Sequence, residues 1–555
     1  MVGFLSFIVF YGTWKTRGTK NINDYLLAGK STPWYTITLS IMATQASAIT
    51  FLSTPGQAYI DGMRFVQFYI GLPIAMIILS ISAVPLYHQL RVFTAYEYLE
   101  GRFDLKNRAL GSILFLIQRG LATGFTIFAP SLIFSALLGW PLEWTILIIG
   151  ILVIIYTASG GTEAVNKTHI LQMMVIFFGM VAAFLMIFRL LPENVTLFDA
   201  AHIAGKMGRL NTIDFSFNLN DRYTFWSGLI GGTFLALSYF GTDQSQVQRY
   251  LTGRSVSQSR TGLLLNGVVK VPMQFFILFI GAMVFVFYQF VSPPIFFNPV
   301  ETKNIENSIY ESEYKQLEHK YQSIHQEKVV SLQELLGAIQ ADDDQTIQSK
   351  KSRVLDFQKK ANGIRKEAIN LIKKNDPSSD GNDTNYIFLS FVLTFLPAGL
   401  IGLILAAILS ASMSSTAAEL NALASTSVID IYRRMIKKNG TDKHYLIVSK
   451  LATIFWGGFG IFFALFANRL GSLIEAVNIL GSLFYGTILG IFLVAFYIKK
   501  IGGNAVFLAA IVAEIVVLLL FQFTEIPYLW FNLIGCAIVV IAGFFLQIAV
   551  FSLEK

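Results

Sequence analysis

Two adjacent serines, Ser414 and Ser415, lie inside a long apolar segment, where they could bind a hard cation. Their hydroxyl groups supply two oxygens, and Ala411, one helical turn earlier, could add a backbone carbonyl. Sodium prefers oxygen ligands, and neutral oxygens suffice for weak, reversible binding. The serines could instead hydrogen bond to carbonyls of their own helix. The residues alone therefore leave a sodium site and a purely structural role both open.

Two other apolar segments are interrupted by small and polar residues, a pattern that favours broken helices. The first interruption covers residues 43–50 and contains Gln45, Ser47 and Thr50, and the second covers residues 238–244. Secondary transporters bind ions and solutes near the membrane midplane, where interrupted helices expose backbone carbonyls. Because the interruptions lie five spans apart, they indicate an inverted five-plus-five repeat, although small polar residues also serve ordinary helix packing.

Two basic residues lie deep inside apolar segments. Arg119 is about ten residues, or roughly 15 Å of helix, into its segment, and Lys270 is about eight residues into another. An arginine near the midplane costs at least about 2.5–3.5 kcal/mol and usually faces a cavity or a charged partner. If both side chains reach a solute cavity, the solute is anionic. In the structural alternative, Arg119 pairs with backbone carbonyls or with Asp243.

The composition of the chain is that of a membrane protein. Of its 555 residues, 54% are hydrophobic and only 14% are charged, whereas soluble proteins carry about 25% charged residues. Apolar segments of about 20 residues, the length that crosses a bilayer, recur along the chain. We therefore predict an all-α polytopic membrane protein with about 13 transmembrane spans. They are residues 1–14, 34–59, 65–87, 110–136, 141–158, 168–191, 225–246, 262–291, 397–424, 445–467, 474–498, 503–522 and 527–552.

The net charge of +8 indicates membrane topology rather than nucleic-acid binding, because the basic residues lie in loops between the apolar segments. The clusters fall on one face of the membrane, and the positive-inside rule places that face in the cytoplasm. The chain is then a multi-pass protein of the inner (plasma) membrane, with its N-terminus outside and its C-terminus cytoplasmic. No A-x-A cleavage site follows the first segment, so we expect no cleavable signal peptide. That segment is short for a span, which leaves the true N-terminus open.

Several other functions are excluded by the sequence. Cys536 is the single cysteine, which rules out a disulfide framework and any cysteine-based metal or redox site. No G-x-x-x-x-G-K-[ST] loop supports ATP-driven transport, and no H-E-x-x-H or G-x-S-x-G motif supports catalysis. We therefore predict no enzymatic activity and no organic cofactor. The predicted partners are a small-molecule solute and the lipid bilayer.

Residues 300–384 form a polar insert between a first membrane part, residues 1–299, and a second, residues 385–555. Apolar residues in the insert recur at helical spacing in two runs, separated by the acidic turn 342–344. The runs are Leu317, Tyr321, Ile324, Leu332, Leu335 and Ile339, and then Val354, Phe357, Ala361, Ile364, Ala368 and Leu371. The alternation of loops places this helical hairpin outside the cell, since long loops are translocated regardless of charge. It is either a solvated structural hairpin or a lid or docking site for an extracytoplasmic partner.

Several motifs, in their order along the chain, resemble those of the solute:sodium symporter family. The main signature is Leu396-Pro-Ala-Gly-Leu-Ile-Gly-Leu403, followed by Ser412-Met-Ser-Ser415 and Asp430-Ile-Tyr432. Further matches are DYLLAGK at 24–30, TAYEYLEGRF at 94–103, SGG at 159–161 with AV at 164–165, and DQSQVQRYL at 243–251. These matches run from residue 24 to about residue 500 and leave out the insert. They look closest to the iodide, monocarboxylate and multivitamin branch, with sugar and sialic acid symporters next.

The resemblance implies a LeuT-type fold, an inverted five-plus-five helix repeat with additional helices, that works by alternating access. In that family, carbonyls of the first core helix and a Ser-Ser group on the eighth hold a sodium ion. The matching positions here are Ala43, Ala46, Ala411, Ser414 and Ser415. The resemblance thus makes Na+ the coupling ion, in agreement with the oxygen chemistry of the serines.

One position departs from the family pattern. Many members carry an Asp in the fifth core helix that serves a second sodium site, whereas residues 166–172 read NKTHILQ here and place His169 there. An imidazole cannot replace a carboxylate as a sodium ligand, so we predict one sodium ion per cycle. His169 is either a surface histidine facing the cytoplasm or a proton-coupling group, because the unperturbed pKa of histidine is about 6.5.

The resemblance also implies a set of substrate-binding positions. They are Gln45, Ser47, Thr50, Tyr69, Arg119, Tyr239, Lys270 and Asn478. The first three resemble positions that bind substrate in sialic acid members. Thr50 and Tyr69 replace the Gln and Glu that hold sugar hydroxyls in sugar members, so that cage is altered. Arg119 lies one turn from the place where sialic acid members use an Arg to hold a carboxylate.

The sequence therefore predicts a sodium-coupled secondary symporter that imports a small organic solute. We expect this solute to be anionic and to bear a carboxylate. A sodium/sugar symporter is the first alternative. A passive channel or uniporter and a proton-coupled carrier that uses His169 are the others.

Overall fold

The computed structural model describes Leu26, residues 30–377, residue 379, residues 381–467 and residues 471–550, with only the backbone of residues 159–161 and 163–167. Over these residues the structure is helical and contains no strand. The helices are α1 (Trp34–Gln45), α2 (Ala48–Asp61), α3 (Leu72–Ile81), α4 (Ala83–Leu90), α5 (Glu97–Arg102), α6 (Leu105–Leu138), α7 (Leu142–Leu190), α8 (Leu197–Lys206), α9 (Gly232–Gly241), α10 (Gln244–Leu251), α11 (Val256–Phe290), α12 (Pro299–Glu306), α13 (Glu311–Gln340), α14 (Asp344–Asn375), α15 (Thr384–Phe395), α16 (Ala398–Thr426), α17 (Asp442–Ala464), α18 (Leu473–Tyr497), α19 (Gly503–Phe523) and α20 (Leu529–Ala549). Short 3₁₀ and π segments at Gly62–Tyr69, Ser227–Gly231 and Ser427–Ile436 adjoin them.

Both predicted helix interruptions are present. The first separates α1 from α2, because Ala46 (φ −83°, ψ 74°) and the extended Ser47 leave helical geometry. The second separates α9 from α10 at Thr242 and Asp243. The Asp243 carboxylate then caps α10 by accepting a hydrogen bond from the backbone N–H of Ser245 at 2.9 Å, as is usual for an N-cap aspartate.

The backbone of α7 turns back on itself, so that this helix contains two of the predicted spans. The hydroxyl of Tyr156 lies 2.6 Å from Oγ1 of Thr168. In a straight helix, twelve residues would separate the two by about 18 Å. The apolar stretches on either side of this turn are Leu142–Ala158 and Thr168–Leu190.

Among the described residues, nine helical stretches are long and apolar enough to cross a membrane by length and composition. Shorter apolar helices occur at Leu142–Ala158, Ser227–Gly241 and Thr384–Phe395. Every apolar segment predicted from residue 34 onward is helical, which confirms the all-α polytopic class. The predicted segment 1–14 lies outside the described residues. The sequence analysis missed α15, which at 12 residues is too short to span a bilayer.

The insert contains the two expected helices, α13 and α14, and a turn in which Asp342 has a φ of 54°. The half of the hairpin near this turn packs through Leu332 and Leu335 on the apolar core that the membrane-spanning helices form. The other half belongs to a separate apolar cluster that includes Tyr314 and Leu371. The location of the hairpin outside the cell stays a prediction.

Candidate functional site

The residues predicted to bind sodium converge where α16 packs against the end of α1. Oγ of Ser414 donates to the carbonyl oxygen of Ala43 at 3.4 Å. Ala46, Ala411 and Ser415 are buried with them. Oγ of Ser415 donates to the carbonyl of Ala411 at 3.0 Å. The bonding within one helix that the sequence left open is thus present for Ser415, whereas Ser414 reaches across to the broken helix.

The break after α1 leaves two carbonyls outside the regular helical pattern. In a continuous helix the N–H of Ser47 would donate to Ala43, and that of Thr50 would donate to Ala46. Here Ser47 N donates to the carbonyl of Gln45 at 3.1 Å, and Thr50 N donates to the carbonyl of Ser47 at 3.0 Å. The carbonyl oxygens of Ala43 and Ala46 therefore lose these helical donors, and that of Ala43 accepts a hydrogen bond from the hydroxyl of Ser414. Such a set of neutral oxygens is suited to a hard cation.

His169 is buried beside these residues. Its Nδ1 lies 2.9 Å from Oγ of Ser40 on α1, and the ring also faces the backbone of Ser414. The interpretation of His169 as a surface histidine is therefore wrong. The helix that carries it packs against both α1 and α16, so this position points into the core rather than toward the cytoplasm.

A cavity of about 90 Å³ lies at the level of the two helix breaks. The predicted substrate-binding residues that line it are Gln45, Ser47, Thr50, Tyr69, Arg119, Tyr239 and Asn478. Much of the remaining wall is apolar, with Phe68, Leu235 and Ile474 among its members. Pockets for drug-sized ligands measure roughly 300–1,000 Å³, so this cavity suits a smaller solute.

The guanidinium of Arg119 is held in the cavity wall by a network of acidic and phenolic groups. Its Nη2 donates to a carboxylate oxygen of Asp243 and, at 2.6 Å, to the hydroxyl of Tyr485. Its Nη1 donates to Oε1 of Glu419 at 3.0 Å. The ring of Tyr239 lies 5.4 Å from the guanidinium carbon, a distance at which the cation and the ring attract. The pairing with Asp243 that the sequence offered as the structural alternative is thus present.

Glu419 is the residue of this site that the sequence analysis missed. It lies on α16 and lines the cavity, and its Oε2 accepts a hydrogen bond from Oγ1 of Thr126 at 3.1 Å. A carboxylate inside an apolar segment is itself a signal of function. Glu419 also follows Ser415 by four residues, which places it on the same side of the helix.

Some polar groups of the cavity keep hydrogen-bonding capacity for a ligand. Nε of Arg119 and Oε1 of Gln45 are buried and have no hydrogen-bond partner among the described residues. By contrast, Asn478 uses its Nδ2 to donate to the carbonyl of Ile474 at 2.7 Å. The hydroxyl of Tyr239 accepts from Nε2 of Gln246 at 2.7 Å. Two residues of the cavity wall, Arg119 and Gln45, thus each keep one polar atom without a partner among the described residues.

Lys270 does not line the cavity. It is fully buried on α11, and its Nζ has no hydrogen-bond partner among the described residues. The argument for an anionic solute required both Arg119 and Lys270 to reach the solute. Arg119 meets this condition and Lys270 does not.

Comparison with protein families gives one match that covers most of the chain. The model of the sodium:solute symporter family matches residues 25–314 and 375–552. The sodium/sialic acid symporter SiaT of Proteus mirabilis (strain HI4320) is 26% identical over 98% of this chain and 93% of its own length. The human sodium/iodide cotransporter is 31% identical over 50% of this chain and 42% of its own. The sodium-coupled monocarboxylate transporter 1 of Xenopus laevis is 34% identical over 47% of this chain and 41% of its own length.

A solved structure shares the fold of the whole chain. It shows a Na+-coupled sialic acid symporter in a substrate-bound, outward-open state, and it superposes with a TM-score of 0.74 at 24% identity. The match covers 98% of this chain and 96% of that one. This likeness confirms the predicted LeuT-type arrangement of helices.

Proposed function

Because this chain belongs to the sodium:solute symporter family, we propose that it imports a small carboxylate-bearing solute together with one sodium ion. It is a multi-pass membrane protein, and its relatives are transporters. Alternating access would expose the cavity between the broken helices first to one side of the membrane and then to the other. The observation that carries the proposal is the guanidinium of Arg119 in the wall of that cavity.

The chemistry of the cavity supports a carboxylate with a hydrogen-bond donor nearby. Arginine presents five N–H bonds, and the Nε–H of Arg119 has no acceptor among the described residues. A solute carboxylate can take that position. Oε1 of Gln45 is a buried acceptor without a donor, so a hydroxyl or amine on the solute would satisfy it. The relatives named above carry sialic acid, iodide and monocarboxylates, all of them anions.

The sodium ion would bind between the carbonyls of Ala43 and Ala46 and the serine pair of α16. Five neutral oxygens are available when the carbonyl of Ala411 is included, and they come from both a broken and a continuous helix. A rearrangement of the break would open or close such a site, which links sodium binding to access. The imidazole of His169 supplies no carboxylate for a second sodium, which supports a single coupling ion.

A neutral, sugar-like solute is the second candidate. Arg119 is already paired with Asp243 and Glu419, so its charge is compensated before any solute arrives. A hydroxylated neutral solute would then need only hydrogen bonds from Gln45 and Asn478.

For either solute we propose the inner (plasma) membrane, with the N-terminus outside, the C-terminus in the cytoplasm and the hairpin of α13 and α14 open to an extracytoplasmic partner.

The first experiment is uptake into proteoliposomes with sodium or choline outside, preceded by a thermal-shift screen of carboxylates, sialic acids, vitamins and sugars. We expect a carboxylate to stabilise the protein and to be taken up only with sodium. Uptake that is the same in choline would identify a uniporter or channel and end the symporter proposal. A neutral sugar as the only stabilising compound would replace the carboxylate by the second candidate.

The sodium site is tested with the double variant Ser414→Ala and Ser415→Ala. Loss of both hydroxyls should raise the sodium concentration for half-maximal uptake, because two of the five oxygens are removed. The matched control is the double variant Ser112→Ala and Ser131→Ala on α6, whose hydroxyls donate only to their own helix, at 2.8 Å each. An unchanged sodium dependence in the Ser414/Ser415 variant would refute the assignment.

A further inference from the structure

Glu419 is a buried carboxylate in the cavity wall that shares a single cation, Arg119, with a second carboxylate. The network around it contains one cation, Arg119, and two carboxylates, those of Glu419 and Asp243. All three side chains are buried. With the carboxylates ionised, the sum of the three charges is −1. A buried uncompensated charge is costly, so this arrangement favours a further cation close by.

The proposed sodium site is the place where such a cation would arrive. Its ligands, the carbonyls of Ala43 and Ala46 and the hydroxyls of the serine pair, carry no formal charge. The ionisable side chain beside these ligands is His169, which contacts Oγ of Ser40 and the backbone of Ser414 and is neutral or cationic. The buried guanidinium of Arg249 is near enough to act on its ring electrostatically. None of these groups balances the charge of a sodium ion, so the balance must come from elsewhere.

Glu419 lies four residues after Ser415 on α16, which is one helical turn, or about 6 Å along the axis. It is therefore on the side of α16 that faces both the cavity and the sodium site. At this separation a full charge changes the affinity for a monovalent cation by about threefold in bulk water and by about a hundredfold at an effective dielectric constant of about 20. The carboxylate can act over this distance without touching the ion.

We propose that Glu419 supplies the negative charge that makes the neutral oxygens of the serine site bind sodium. This inference rests on the proposed function, since it assumes that site. Glu419 is in this sense a positioning residue, because it acts on the ion through its field and not as a ligand. Its hydrogen bonds to Arg119 and Thr126 hold the carboxylate in the required place.

The same network offers a physical route for coupling. A solute carboxylate that engages Arg119 shares the guanidinium with Glu419, so the carboxylate of Glu419 is neutralised less. The negative potential at the sodium site then rises, and sodium binds more tightly when solute is present. Linkage requires the reverse as well, so that sodium raises the affinity for solute.

The test measures sodium binding by the purified full-length protein in the absence of solute. The readout is the shift of the unfolding temperature that sodium induces. Glu419→Gln keeps the shape and removes the charge. We expect Glu419→Gln to raise the half-saturating sodium concentration on the order of tenfold. Glu419→Asp keeps the charge and should retain most of the sodium affinity of the unaltered protein. Glu514→Gln on α19 makes the same substitution at another buried intramembrane carboxylate, and we expect it to leave sodium binding unchanged.

The outcomes separate this inference from the proposed function. A higher sodium requirement in both Glu419→Gln and the Ser414/Ser415 double variant supports the inference. An unchanged requirement in Glu419→Gln overturns it, while the serine variant still tests the sodium site. A higher requirement in Glu419→Gln alone also overturns it, because Glu419 would then be a direct ligand of an ion bound elsewhere. Sodium-independent uptake by the unaltered protein would instead end the proposed function.

Discussion

At the level of single residues, α2, the second half of the first broken helix, is held by very close backbone contacts. A Cβ on Gly56 would lie 2.0 Å from the carbonyl oxygen of Thr384 on α15. A Cβ on Gly281 of α11 would lie 2.2 Å from the carbonyl oxygen of Pro55. A side chain at either position would overlap a backbone carbonyl oxygen, so both positions require glycine. They let α2 lie directly against α11 and α15, which fixes the wall of the cavity.

We predict that Gly56→Ala destabilises the protein, because a backbone oxygen has little freedom to move away from the new methyl group. Overpacking of this kind costs typically about 1–3 kcal/mol. The measurement is the thermal unfolding temperature of the purified protein. Gly399→Ala in α16 is the matched control, since its Cβ would meet nothing within 4 Å and alanine favours a helix over glycine. Equal unfolding temperatures for the two variants would contradict the prediction.

At the level of elements, the hairpin insert is connected to α2, the second half of the first broken helix. Nη2 of Arg365 on α14 donates to Oδ1 of Asp383 at 2.5 Å, and Oδ2 of Asp383 accepts from the backbone N–H of Phe297 at 2.7 Å. The ring of Phe297 lies 5.7 Å from that of Tyr59 on α2. A chain of contacts thus connects the insert to an element that lines the cavity.

A polar layer divides the interior of the same hairpin. His325 and Lys328 of α13 are both 3% exposed, and Nζ of Lys328 donates to Oε1 of Gln358 on α14 at 3.1 Å. Burial, and then the nearby charge of Lys328, lower the pKa of His325 to about 4. Burial likewise lowers the pKa of Lys328 to about 8. The packing of this layer favours the neutral forms of both groups.

We predict that the hairpin loses stability as the pH falls from about 6.5 to about 4. In that window unfolded His325, with an ordinary pKa of about 6.5, binds a proton that the folded form does not. The loss amounts to up to about 3 kcal/mol below pH 4, the value for a pKa difference of about 2.5. The measurement is hydrogen exchange of α13 and α14 in the full-length protein at pH 6.5 and pH 4.5.

His325→Leu should remove this dependence because it leaves an apolar side chain in the same place. The control is His319→Leu on the exposed side of the same helix, which should keep the dependence of the unaltered protein. Equal protection of the hairpin at both pH values in the unaltered protein would show that His325 does not control its stability.

At the level of the whole molecule, the family-wide part of the chain and the insert are distinct. The family match stops at residue 314 and resumes at residue 375, so most of α13 and α14 lies outside the part of the chain that the family model matches. No residue of the insert lines the described cavity. The insert has an apolar cluster of its own, although Leu332 and Leu335 also pack on the membrane core.

We predict that replacing residues 311–375 by a short Gly/Ser linker preserves sodium-dependent uptake and lowers the unfolding temperature. Transport should persist because the cavity and the serine site lie outside the insert, and stability should fall because the core loses its contacts with Leu332 and Leu335. Uptake in proteoliposomes and thermal unfolding measure the two effects. Loss of uptake together with a normal sodium-induced thermal shift would instead show that the hairpin acts as a lid.

The class of the protein, the two helix breaks and the helices of the insert could be predicted from the sequence. These features depend on local composition and periodicity: apolar length predicts a span, small polar residues favour a break, and helical spacing predicts α13 and α14. The serine pair and the break near Ala43 were also recognisable locally. The contact of 3.4 Å between Oγ of Ser414 and the carbonyl oxygen of Ala43 forms because the fold packs α16 against α1.

Only the tertiary structure decided what the buried ionisable groups do. Arg119 and Lys270 are both basic residues deep inside apolar segments of the sequence. In the structure Arg119 lines the cavity and has two carboxylate partners, whereas Lys270 is buried apart from the cavity. A surface position was one of the two interpretations of His169, yet this residue lies in the core, and a role for Glu419 was not predicted. The physical reason is that each helical residue advances the side chain by about 100°. The surroundings of a charge therefore depend on how helices distant in sequence rotate and pack against one another.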